Sequence, residues 1–379
     1  MSSRAAILSD VPDILLAPYL PVSQQVRVGT WDLVPFDGID QARVVPDDLV
    51  RPVTRLVSAY RPESRQGQAM GVVAVPEGGH VGSPFDRSAM RRLGYALLAG
   101  VVAGNTPMAV SEEDQEPNAG WAVASAENAL LYGHPLSEGD SYVIQTGVLA
   151  RVTTVRHAPG KDLPGIEPPV ELPRPMFFSF DEELAEAVHV ALGTADAPAR
   201  RLGRALDWFS IALSNAEAVS LDVRVGAARS AFEILTEAGD ETKRLVRAYG
   251  RLVGEDQTTT ATYNDVFWAK GPVALTPDEW WMTRLCALRN AIVHGDRVPD
   301  ELWEHEGHSQ LNHMHDRLIS TLRIVAANEV GDDLLRIRQS ERTFARAADE
   351  AAAYLREARA RAGASDDVEQ ACTAESDPD

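Results

Sequence analysis

A proline-dense stretch divides this chain. Between residues 158 and 175 stand Pro159, Pro164, Pro168, Pro169, Pro173 and Pro175. Proline lacks a backbone N–H and locks its own φ, so such a stretch forms neither a helix nor a central strand. It is expected to act as a stiff linker, 158–178, that holds two domains apart. With 379 residues and 45% hydrophobic content, the chain is long enough for two domains and a sizeable core. The expected division is a domain over 1–157, the linker, a second domain over 179–362, and a tail over 363–379.

The first part mixes two periods. Residues 25–35 alternate and are read as one strand. Residues 71–76 are a short apolar run ended by Pro76. From Asp86 to Gly104 the spacing predicts a helix, with Asp86 as its cap and Met90, Leu93, Leu97, Leu98 and Val101 recurring along one side. Residues 142–146 and 148–155 are read as strands. The expectation is an α+β domain. Nothing in these residues names its role.

From Asp181 onward the period is helical. Helices are expected over 181–192, 197–215, 218–237, 241–253, 277–294, 299–329 and 333–362. Asp181 suits an N-cap, and Pro299 suits the first turn of the helix that it opens. Residues 254–262 are read as a polar loop. No apolar stretch reaches 18 residues, so no membrane span is expected.

The formal charge of −20 argues against indiscriminate nucleic-acid binding, because phosphate repels an acidic surface. A local basic site is still compatible with it. Part of the acidity sits in the tail, where Asp366, Asp367, Glu369, Glu375, Asp377 and Asp379 occur without a basic residue, and disorder is expected there. Lys243, Arg244, Arg247 and Arg251 form a helix-spaced stripe. A solvated face is its plainer reading, and RNA-backbone contact is the alternative. The two cysteines, Cys286 and Cys372, lie in unlike contexts, so no disulfide is expected and a reducing compartment fits. Met1-Ser2-Ser3-Arg4 does not start a signal-peptide pattern. The expectation is a soluble cytoplasmic protein.

The chemistry-bearing run is Arg289-Asn290-Ala291-Ile292-Val293-His294, closed by Gly295. Arginine grips phosphate oxygens with a rigid charged fork, and histidine exchanges protons near neutral pH. Gly295 suits the residue that ends a helix in the left-handed conformation. Five residues turn a helix by about 500°, so Arg289 and His294 lie about 140° apart and do not share a face. Asn290 and His294 are four apart and do. Glu233 stands among Phe232, Ile234 and Leu235, where a carboxylate needs a partner, with Arg289 as one candidate. Asp296 either orients His294 or starts a turn with Arg297.

The run from Leu288 to Gly295 resembles the Arg-polar-(four to six residues)-His motif of HEPN domains, and its wording is most similar to the ApeA-like branch. The segment 223–235, with an alanine-rich start and the Glu233-Ile234-Leu235 end, is similar to a helix of that branch. The resemblance covers residues 197–330. It implies an all-α, HEPN-like helical bundle after the α+β domain, working as a homodimer whose two motifs face one cleft. It implies a metal-independent endoribonuclease with no cofactor, catalytic residues Arg289, His294 and Asn290, and Glu233 and Asp296 in support. It implies an effector in bacterial anti-phage defence or a toxin, restrained or triggered through the N-terminal domain by a phage or regulatory partner. The alternative is a non-catalytic HEPN module that binds RNA or a protein partner and dimerises.

A second cluster, His305, His308, His313 and His315, is read first as solvated or motif-supporting histidines. On a continuous helix His305, His308 and His315 would lie close together, so a metal site there is the lesser alternative. The spacing is not that of His-Glu-x-x-His. No phosphate-binding glycine loop, nucleophile elbow or Cys-x-x-Cys pair is present in the sequence.

Overall fold

Strand β1, Ile14–Ala17, is apolar throughout and buried at every position. Its side chains alternate between two cores. Ile14 and Leu16 enter one, and Leu15 and Ala17 the other. A run buried on both faces has no polar positions to alternate with, and for that reason it carries no period-two signal. The structure, a computed structural model, describes residues 13–38, 43–60, 71–104, 126–134, 140–145, 152–156, 180–194, 196–214, 219–253, 260–264, 266–305 and 308–331.

The other strands of this sheet are β2 (Val26–Val28), β3 (Trp31–Pro35), β4 (Val72–Pro76), β5 (Tyr132–His134), β6 (Asp140–Gln145) and β7 (Val152–Arg156). They form a seven-stranded sheet in the order β2-β3-β4-β1-β5-β6-β7. Every neighbouring pair is antiparallel. Helix α1, Val50–Ala59, covers one face through Val53, Leu56 and Val57. Helix α2, Arg87–Gly104, covers the other through Leu93, Leu97 and Val101. Asp86 caps α2 as expected, its carboxylate accepting the Ala89 N–H at 2.6 Å. The single strand expected over 25–35 is instead the β2–β3 hairpin. Gly29, at φ +59, supplies the left-handed residue of its two-residue turn. Its N–H is taken by the Glu186 carboxylate.

The second half is mostly helical: α3 (Glu182–Ala191), α4 (Ala197–Ala212), α5 (Leu221–Thr236), α6 (Thr242–Val253), α7 (Pro277–His294), α8 (Asp300–Trp303) and α9 (Gln310–Val330). A hairpin of β8 (Ala261–Tyr263) and β9 (Val273–Leu275) precedes α7. The long helix expected over 299–329 is broken. Strands β10 (Glu304–His305) and β11 (His308–Ser309) form a small hairpin between α8 and α9. The helix expected over 333–362 and the tail lie outside the described residues.

The proline-rich stretch and the boundaries drawn around it also lie outside the described residues. The regions on either side of it are not held apart. One apolar core runs from Leu15, Trp31 and Leu97 through Val188, Leu206 and Phe232 to Leu285 and Leu318. Polar contacts stitch the same join. The Asp181 N–H donates to Gly100 O at 2.9 Å, and the Ala126 N–H to Leu213 O at 3.0 Å. Arg323 donates to Ala103 O at 3.2 Å and to Asp181 Oδ2 at 2.9 Å. Ser214 donates to the Glu127 carboxylate, and Tyr95 to that of Asp207.

Candidate active site

Helix α7 is fixed at both ends by its own sequence. Thr276 and Glu279 form a reciprocal capping box: the Glu279 N–H donates to Thr276 Oγ1 at 3.2 Å, and the Thr276 N–H to Glu279 Oε2 at 3.1 Å. At the other end Gly295 adopts φ +70. Its N–H donates to Ile292 O at 3.1 Å and that of Asp296 to Ala291 O at 2.9 Å. These two bonds are the Schellman closure that a left-handed glycine permits. The Asp296 N–H thus helps to end the helix.

The inner side of α7 is locked by aromatic packing. Trp281 is buried, with ring centroids 5.7 Å from Phe232 of α5 and 5.7 Å from Tyr249 of α6. Met282, Leu285, Cys286 and Leu288 complete that side. Burial pushes the Cys286 thiol up to about 11, against the opposing pull of Arg229. Few thiolates form at such a site, so Cys286 is a packing residue.

Arg289 is half-buried at the α5 side of α7. Its Nη1 donates to Asn290 Oδ1 at 3.3 Å. Glu233 does have a cationic partner, but the close one is Arg229, one turn earlier on α5, at 2.8 Å. Arg289 acts on Glu233 at longer range. Burial raises the Glu233 carboxyl above its ordinary value, Arg229 and then Arg289 pull it down, and Asp240 pushes it up. His294 stands exposed in the last turn. Among the described residues no hydrogen bond or ion pair joins His294 to Arg289, Asn290, Glu233 or Asp296. The structure thus brings Arg289 within electrostatic reach of Glu233 and bonds it to Asn290, and it leaves His294 exposed in the last turn.

The basic stripe is not uniform. Lys243, Arg244 and Arg251 are exposed. Arg247 is engaged, donating to Glu279 Oε2 at 2.6 Å and to Ala274 O at 3.2 Å. Of the stripe it is thus the member tied to the fold. Gly250 packs against Glu279, near the start of α7, whereas Asp240, just before α6, acts on Glu233, near the Arg289 end. Helix α6 therefore runs alongside α7 in the opposite sense, with Lys243 and Arg244 toward the Arg289 end.

The helical face expected to gather His305, His308 and His315 does not exist. Residues 305 and 308 are cross-strand partners in the β10–β11 hairpin, and His315 lies on α9. The imidazole of His315 is buried, its Nδ1 at 3.7 Å from Asp316 Oδ1. Among the described residues there is no group of three or more His, Cys, Asp or Glu able to hold a metal ion. No helix among them is long and apolar enough to cross a membrane.

Arg229 is the residue that the sequence reading missed. It is 5% exposed, in an alanine-rich turn where an arginine reads as a surface residue. Its signal was the i,i+4 spacing to Glu233 on a face flanked by Ala228 and Phe232. No family model matches the chain, and no curated protein or solved structure gives a significant match to it.

Proposed function

We propose that the C-terminal half is a HEPN-like, metal-independent endoribonuclease module that works as a homodimer. One observation carries the reading. The helix bearing Arg289-Asn290-x-x-x-His294 is capped at both ends, stops at Gly295, and presents His294 to solvent while Arg289 stays within electrostatic reach of the half-buried Glu233 carboxylate. Arg289 and His294 of one chain are too far round the helix to form a complete site. Two helix ends facing each other would supply both.

In this mechanism a ribose 2′-hydroxyl attacks the adjacent phosphorus. His294 of one copy takes the hydroxyl proton, and His294 of the second copy returns a proton to the departing 5′-oxygen. Arg289 stabilises the charge that builds on the phosphorane oxygens, and Asn290 steadies the Arg289 guanidinium. The products are a 2′,3′-cyclic phosphate and a 5′-hydroxyl. DNA lacks the 2′-hydroxyl and is not cut. As an effector in anti-phage defence or a toxin, such a module would be restrained through the sheet-bearing half, whose core it shares.

His294→Ala in the full chain should lower RNA cleavage by about 10²-fold or more, with dimer mass and fold unchanged. Cleavage should survive a chelator. Undiminished cleavage by the purified variant, or activity that a chelator abolishes, would sink the reading. A non-catalytic module that binds RNA or a protein partner is favoured by the lack of contact between Arg289 and His294. Its signature would be Arg289-dependent RNA binding without cleavage.

A further inference from the structure

A guanidinium taken into an apolar interior requires compensation, and Arg229 finds it nearby. Its Nη2 donates to Asp240 O at 3.0 Å and lies 2.8 Å from Glu233 Oε1. Arg289, on the next helix, acts on the same carboxylate from farther away. Its guanidinium donates to Asn290 Oδ1, and among the described residues it forms no ion pair. Two arginines thus compete for Glu233, and the buried one holds it.

We propose that Arg229 is a positioning residue for a phosphate site at Arg289: by occupying Glu233 it leaves the Arg289 guanidinium available to an RNA phosphate. The proposal rests on the reading of Arg289 as a phosphate contact, and it adds what keeps that contact free. Without Arg229, Arg289 is the cation left acting on the Glu233 carboxylate. Arg289 then turns inward to Glu233 and loses its grip on phosphate. Neutralising Glu233 at the same time removes the competitor and frees Arg289 again.

The test uses the full chain and a fluorescein-labelled single-stranded 2′-deoxy oligonucleotide, which carries phosphates and cannot be cut by 2′-hydroxyl attack. Anisotropy gives affinity across a salt series. Arg229→Met and Arg289→Ala should each weaken binding about tenfold, since hydrogen bonds to charged groups are of that strength. The slope of log affinity against log salt should become shallower by about 0.7 in both, the value for one lost phosphate contact on a single strand. The double variant Arg229→Met/Glu233→Gln should recover both affinity and slope, which general loosening of the fold would not produce.

Wild-type affinity and slope in a folded Arg229→Met variant would overturn the proposal. So would a double variant that melts like wild type and stays weak. If the single variant does not fold, the double variant decides alone. The ribonuclease reading fails separately. A wild-type chain that leaves RNA intact but shows the Arg289-dependent slope and its rescue refutes cleavage and supports the role of Arg229. Cleavage that is indifferent to Arg229 does the reverse. A chain that binds no oligonucleotide overturns the role given to Arg229, while RNA cleavage by that chain still decides the ribonuclease reading.

Discussion

Two arginines show how differently this molecule treats charge at its internal join and at its motif. Arg323, on α9, is largely enclosed, its side chain 16% exposed, between the Ala103 carbonyl and the Asp181 carboxylate, and desolvation pulls it down to about 10 while Asp181 pulls the other way. Arg289 is half-buried, bonded to a neighbouring amide and within electrostatic reach of a carboxylate that another arginine already holds. At the join every charge named here is committed to structure. At the end of α7 a cation, an amide and an imidazole are left with little structural employment. Groups without a folding role at one ordered helix end are where chemistry is to be sought.

The widest gap between the regions should appear on substitution of the arginines. Arg323→Ala leaves Asp181 and the Ala103 carbonyl without their cation. Breaking such a partly exposed pair from one side should cost about 2 kcal/mol, below the figure for a fully buried pair, readable as a lower midpoint in denaturant unfolding. An equally stable Arg323→Ala variant would erase the contrast. Gly295→Ala should cost about 1 kcal/mol, because a Cβ strains the φ of +70 at the helix closure. Its RNA cleavage should fall as well, since the last turn positions His294. His294→Ala should change stability by less than about 0.5 kcal/mol while abolishing cleavage, the mark of an exposed functional group. A large loss of stability there would make His294 a structural residue.

Cys286 offers the smallest and most local check. Its raised thiol pKa means that the folded state disfavours the thiolate. The associated stability is full below the ordinary thiol value of 9.0 and is lost as pH rises through about 11. Below pH 9 the native protein should therefore resist thiol-specific alkylation at Cys286 and become reactive on unfolding, followed by peptide mass spectrometry. Rapid labelling of folded protein would show that the α5–α7 packing opens.

The helices around the motif were legible from the sequence because their ends are spelled out locally. Thr276, Pro277 and Gly295 mark α7 at both ends, and the expected range 277–294 matches the observed one. Asp86 and Asp181 mark α2 and α3 in the same way. What failed to show were features set by distant partners. Strand β1 is apolar on both sides because α1 and α2 cover it from opposite faces. The Gly29 turn looked like part of an alternating strand, since Val26, Val28, Trp31 and Leu33 are all buried. At the site, Arg289, Asn290 and His294 could be placed by period alone. The burial of Arg229 could not, because it depends on α7 and on the turn at Asp240, although its i,i+4 spacing to Glu233 was in view.

The Arg323–Ala103 hydrogen bond joins residues 220 positions apart. Strand β1 likewise waits for β4 and β5 before both its edges are paired. Contacts this distant in sequence must close large loops before they return any stabilisation, which slows folding and leaves apolar faces open meanwhile. Synthesis on the ribosome delivers Leu15 and Leu97 long before Leu318. Until α9 arrives, the face of α2 that it and α3 cover stays exposed. The helical half thus becomes competent only when the sheet-bearing half is already in place, an order of assembly that delays any activity of the α7 end until the chain is essentially complete.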